Sequence, residues 1–181
     1  MAHSQSKPNK ISRRSPTRTM LLPLPAATVR ATALQNHLAL EVLRCGQGTS
    51  IHLTYLFRAV LLTYLLRDKI KECCDLEVFQ SAEAALLRCS LRANRGEPRQ
   101  LSESDIEPIQ IILALHDRQL ARVPRHVHSA ACQRVLQFAN GNTLSLIPQA
   151  EDIDEETSAA YEAYLAASTA PQPSDRTKDK P

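Results

Sequence analysis

The chain has no tryptophan, and aromatic residues make up only 4% of it. A core must therefore be assembled from Leu, Val, Ile and Ala, the side chains that pack helix against helix. Glycine is as scarce, with four in 181 residues. Gly46, Gly48, Gly96 and Gly141 all fall between apolar segments, which leaves the stretches between them free for uninterrupted helices. Alternating apolar and polar runs of the kind that make half-buried strands are missing. So are a Gly-rich phosphate loop, Gly-x-Ser-x-Gly, His-Glu-x-x-His and paired Cys-x-x-Cys, the signatures by which many enzymes of this size declare their chemistry. These absences point to an all-α protein that is not an enzyme and holds no cofactor.

What the chain has in place of these is one very apolar stretch, Ser50 to Arg67. On a wheel of about 100° per residue, Leu53, Phe57, Val60 and Tyr64 form one stripe, while Leu62 and Leu65 fall on the side of Arg58. A helix that is apolar nearly all round is central to a bundle, faces a partner or spans a membrane. His52 and Arg58 leave only about eight residues free of charge, against the roughly 20 that a span needs, so the membrane is rejected. Ser50 sits where an N-cap belongs and Arg67 to Lys71 place positive charge at the C-terminal end of the helix dipole.

Five cysteines is an odd number, and none has the spacing of a zinc knuckle or a redox pair; reduced thiols in a cytoplasmic protein are expected. The net charge of +3 hides a division. Lys7, Lys10, Arg13, Arg14 and Arg18 make a basic arm without acids, and Glu151, Asp152, Asp154, Glu155, Glu156 and Glu162 make an acidic segment without bases. Residues 1–25 are too polar and too broken by proline to fold alone and read as a disordered arm, through which DNA phosphates would be met. Ser12-Arg13-Arg14-Ser15 has the outline of a twin-arginine export signal, but Pro23 and Pro25 interrupt the short apolar run behind it, and Met20 offers an alternative start. Residues 26–141 form the helical domain; residues 142–181 carry the acidic segment, a short amphipathic helix through Tyr161, Tyr164 and Leu165, and a tail.

Within the domain, periodicity predicts five helices. The first runs from Ala26 to Arg44 and stops at Gly46, with Leu34, Leu38, Val42 and Cys45 as its core stripe and Arg30, His37, Glu41 and Arg44 as a polar band beside it. The second is the apolar stretch. The third starts at the N-cap Asp75 and runs to Asn94, with Phe79, Ala82, Leu86, Cys89 and Ala93 on its inner face. The fourth starts at Ser104, with Glu107 completing a capping box and Pro108 in the first turn, and ends before Pro124. The fifth covers His126 to Asn140.

The fourth helix carries the most informative polar residue. His116 falls in the middle of the stripe Ile109, Ile112, Leu113, Leu120 and Val123 and must point into the core. A buried imidazole needs hydrogen-bond partners, for which Tyr55, Tyr64, Thr63 and the His37–Glu41 pair are candidates, and burial disfavours its charged form. It reads as a structural histidine, as part of a small-ligand or metal site with His37 and Glu41, or as a catalytic base, in that order. His126 and His128 are about 200° apart on a helix, so one metal cannot take both.

Several segments carry a resemblance: Leu24 to Ala31, Leu34 to Leu40, Ala82 to Leu86 and Leu113 to Leu120. They resemble a group of small bacterial helical proteins often labelled Fis-family transcriptional regulators, over roughly Leu22 to Asn140. The label implies transcriptional regulation and a DNA-binding helix-turn-helix. That motif would fall at Val123 to Asn140, where Pro124 and a helix with only Arg125 and Arg134 depart from the family's basic recognition helix, and no recognition residue is carried over.

The chain as a whole is expected to be an all-α single bundle of about five helices with a disordered basic arm and an acidic tail. Its expected role is that of a regulatory or scaffolding protein acting through helix contacts, with DNA binding and a ligand site near His116 as alternatives. Leu61, Leu62 and Leu65 are the expected dimer interface, on the ground that so small a domain cannot cover them; the competing reading makes the second helix the wrapped centre of the bundle.

Overall fold

The computed structural model describes residues 17–70, 74–139 and 145–148. A short 3-10 turn at Arg18–Leu21 leads into five helices: α1 (Ala26–Arg44), α2 (Ser50–Leu66), α3 (Leu76–Asn94), α4 (Glu103–Arg122) and α5 (Arg125–Ala139). A second 3-10 turn, Arg67–Lys69, closes α2. No strand is present among the described residues, and no helix there is long and apolar enough to cross a membrane.

The centre of the bundle is α2, which packs on α1, α3, α4 and α5. This explains why its sequence is apolar on every side. Leu61 and Leu62, expected to lie exposed at a dimer contact, are 5% and 3% accessible, and Leu65 is half-buried. The exposed face on which that contact was expected is not there, because four helices are enough to wrap a fifth.

The core face of α1 also differs from the expected one. Leu34 and Leu38 are 61% and 53% exposed, while Asn36, Ala39, Leu40 and Leu43 are buried. Two leucine stripes run along this helix, and the one that packs on α2 and α4 carries a polar residue, Asn36. In α3, by contrast, Phe79, Ala82, Leu86 and Cys89 are inside as expected, and alanine at position 82 lets the neighbouring helix approach closely.

The caps differ from the simplest reading by one or two residues. Thr49 caps α2 in a reciprocal box with His52, whose Nδ1 accepts from the Thr49 backbone N–H at 3.0 Å. Ser102, not Ser104, caps α4, and its partner is Asp105, so Pro108 lies beyond the first turn. Asp105 is preferred because it is already held: Arg88 of α3 donates to it at 2.7 Å across a partly buried helix contact. Burial pushes the Asp105 carboxyl up, but the hydrogen bonds from Ser102 and Arg88 outweigh it and the net shift is downward.

Two ties hold the ends of the bundle. At one end α1 terminates at Gly46 with φ of 73°, a conformation that suits glycine. Gly48 then passes so close to the α3–α4 loop that a Cβ there would lie 2.7 Å from the Arg99 carbonyl oxygen and 2.3 Å from Leu43 Cδ2. Leu101 N–H donates to the Leu43 carbonyl at 3.2 Å in the same place. At the other end, residues 17–25 are not a loose arm. His126 Nδ1 donates to the Met20 carbonyl at 2.9 Å, Arg125 N–H to that of Leu22 at 2.9 Å, and Pro23 bridges Pro124. The segment is strapped across the start of α5. Lys7, Lys10, Arg13 and Arg14, and the acidic segment with Tyr161, Tyr164 and Leu165, lie outside the described residues.

Candidate functional site

Two cavities open on different faces of α2, and both use residues of α5. The larger, about 500 Å³, is a groove whose floor is α2 and whose walls are α3 and α5. Leu53, Phe57, Leu61, Leu87, Val135 and Leu136 make it apolar. It exists because α3 and α5 each pack on α2 without closing against one another. Glu83 lies at one end, where the Ser145 hydroxyl meets its carboxylate at 2.7 Å and accepts from the Ile147 N–H at 2.9 Å. Ile147 itself is buried. Arg58 and Arg99 are the basic residues of the lining, and neither has a carboxylate partner among the described residues.

The smaller cavity, about 210 Å³, is lined mainly by polar residues of α1, α2, α4 and α5, with Leu24 of the N-terminal strap also in the lining. His116 reaches it from α4. The residue is 1% exposed, as its place in the apolar stripe requires. Of the partners foreseen, Thr63 is the one that serves: its hydroxyl lies 3.0 Å from His116 Nδ1 and donates its single hydrogen to the Ala59 carbonyl at 2.7 Å. Thr63 Oγ1 must then accept from Nδ1–H, which leaves Nε2 with a free lone pair. Burial, with smaller contributions from His128 and Arg58, holds the imidazole down at a pKa of about 3. His128, half-buried, is lowered for the same reasons, burial and then Arg58.

Other polar groups line the same cavity. Asn36, 5% exposed, lines the cavity and its amide makes no hydrogen bond among the described residues. Tyr55 and Arg58 line it from α2 and His128 from α5. Arg58 Nη2 lies 3.8 Å from Cys132 Sγ, a weak acceptor. Beneath the site Gln119 is fully buried and donates to the Thr63 carbonyl at 3.0 Å, so the backbone that carries Thr63 is itself held.

The structure does not bring together His116, His37 and Glu41. His37 is on the outside of α1, where its Nε2 meets Asp117 at 2.9 Å, and Glu41 is exposed. The buried α1 residue that shares a cavity with His116 is Asn36, which sequence reasoning missed because a partner was sought on the charged band of the wheel. Among the described residues no three His, Cys, Asp or Glu side chains gather to hold a metal. The described cysteines, Cys45, Cys74, Cys89 and Cys132, are unpaired. Burial, more than its charged neighbours, raises the Cys89 thiol, as it does that of Cys74. Arg18 is exposed, and α5, where a recognition helix was sought, packs on α2 and the Arg18–Leu21 turn. Comparison with known proteins finds no matching family model, no matching curated protein and no matching solved structure.

Proposed function

We propose that the protein is a non-enzymatic regulatory or scaffolding module that holds an amphipathic helix bearing acidic residues in the groove between α3 and α5. The groove itself carries this reading. A cavity of about 500 Å³ with an apolar floor remains open between these two helices. Leu136 on its wall is 63% exposed. Helix-in-groove recognition uses such a trough, with apolar anchors at i, i+3, i+4 and i+7 of the guest filling it.

The sign of the guest follows from the lining. Glu83 is already engaged by Ser145, whereas Arg58 and Arg99 face the groove without a carboxylate. An acidic flank on the guest would pair with both arginines at the rim, where charge adds selectivity more than affinity.

The test is fluorescence anisotropy with two synthetic amphipathic helices, one of Leu, Ala and Glu and one with every Glu replaced by Lys. The full-length protein is expected to bind the acidic peptide at least about tenfold more tightly, and Arg58→Glu with Arg99→Glu is expected to reverse the order. Equal affinity for both peptides, or no binding of either, would refute the reading.

A further inference from the structure

We infer that the polar cavity among α1, α2, α4 and α5 is a binding site for a small carboxylate that carries a hydroxyl group beside its acid. The cavity shares Arg58 with the groove but draws His116, Asn36 and His128 from outside it.

Two buried polar side chains of the cavity have unused hydrogen-bonding capacity. His116 Nε2 is an acceptor, since Thr63 commits the ring's hydrogen to Nδ1. It has no partner among the described residues, and it is not one of the buried polar atoms sealed from solvent. The same is true of the Asn36 amide. Two such groups on adjoining helices that face one cavity offer a partner at each to a molecule that displaces solvent from it. An acceptor nitrogen requires a donor on that molecule, which a hydroxyl provides. Asn36 can donate and accept.

Charge sets the other half of the ligand. Arg58 lines the cavity, no Asp or Glu does among the described residues, and His128 is pushed toward its neutral form. The site therefore presents one cation with no counter-charge, and a planar guanidinium is suited to a carboxylate. Leu24, Ala59 and Leu62 supply the apolar part of the wall, against which a short aliphatic body would rest. The 210 Å³ of space is smaller than a drug-sized site and suits roughly ten non-hydrogen atoms. Leu24 of the N-terminal strap and Thr28 of α1 complete the lining.

The experiment uses the full-length protein and three probes that share one skeleton: 2-hydroxyisocaproate, 4-methylpentanoate, which lacks the hydroxyl, and 2-hydroxyisocaproamide, which lacks the charge. Calorimetric titration is expected to give the hydroxy acid at least about a tenfold advantage over each of the others. In His116→Asn the shorter amide can still donate to Thr63 while the Nε2 lone pair is gone, and the advantage over 4-methylpentanoate is expected to disappear. Nitrogen-detected NMR of the wild-type imidazoles gives a reading that needs no variant: the His116 Nε2 resonance moves upfield as it accepts the ligand's hydrogen. Three results would each overturn the inference: no binding of the hydroxy acid at about 10 mM, equal affinity for the acid with and without its hydroxyl, or binding that leaves the His116 Nε2 resonance in place.

Discussion

Acid should destabilise this protein through His116 before its carboxylates begin to matter. In the unfolded chain the imidazole takes a proton near its ordinary value of 6.5; in the folded one it does so only at about 3. The folded value is depressed, so the contribution to stability is fully present above the unfolded pKa, is lost progressively as pH falls below it, and is gone near the folded one. From about pH 6.5 to about pH 4.5 the unfolded state binds a proton that the folded state refuses, and at about 1.36 kcal/mol per unit the loss is about 2.7 kcal/mol. Against a stability of about 5–15 kcal/mol for a domain this is a large fraction. His128 is lowered too and adds in the same direction, whereas Asp105, lowered from 3.8, releases its contribution only below this window. Urea unfolding followed by circular dichroism at several pH values between these limits measures the slope. The same series on His116→Asn isolates the residue, because His128 is common to both proteins. Parallel slopes for the two proteins would refute the reasoning, as would an imidazole proton of His116 that titrates between these limits in the folded protein.

Asp105→Ala removes the α4 capping box and leaves Arg88 without its carboxylate at a partly buried contact, and a loss of about 2 kcal/mol in denaturant unfolding is expected, whereas exchange of an exposed acid such as Glu103 costs less than about 1 kcal/mol. Leu62→Glu places a carboxylate in the wrapped centre of the bundle and is expected to unfold the chain; a folded Leu62→Glu monomer derived from a wild-type dimer, seen by light scattering, would restore the dimer contact on α2. If the protein is retained on DNA, deletion of residues 1–16 removes Lys7, Lys10, Arg13 and Arg14 and is expected to flatten the salt dependence by about 0.9 for each phosphate no longer neutralised, and an unchanged slope would assign DNA binding to the helices.

The helices were legible because each is bracketed by punctuation the backbone must obey. Gly46, Asp75 and Pro124 set ends that hydrogen bonding cannot evade, and α1 begins and ends at the residues its sequence indicates. His116 was legible for a similar reason: one polar residue in a clean apolar stripe has nowhere to go but inward. The face of α1 was not, since leucines occur on two sides of it and the winning side includes Asn36. Its choice is made by what α2 and α4 present, which no local pattern contains. The cap of α4 was missed because Ser102–Asp105 and Ser104–Glu107 are equally good boxes in isolation; the Arg88 contact decides between them. The two cavities were invisible for the same reason. Each is bounded by helices far apart in sequence, and Arg58, which served in the sequence only to exclude a membrane span, lines both.

The last helix is the least anchored of the five. Ala131 and Val135 are the only buried residues of α5, yet it forms a wall of the groove through Leu136 and of the polar cavity through His128. The rest of its hold is the partly buried Val127, Cys132 and Phe138 against the core and the strap at Met20 to Pro23. An element that buries so little is the cheapest to detach, so the amides of α5 would exchange with solvent through a partial opening while those of α2 wait for global unfolding. Both cavities have this helix as a wall, so whatever fills either of them is expected to slow the exchange of its amides.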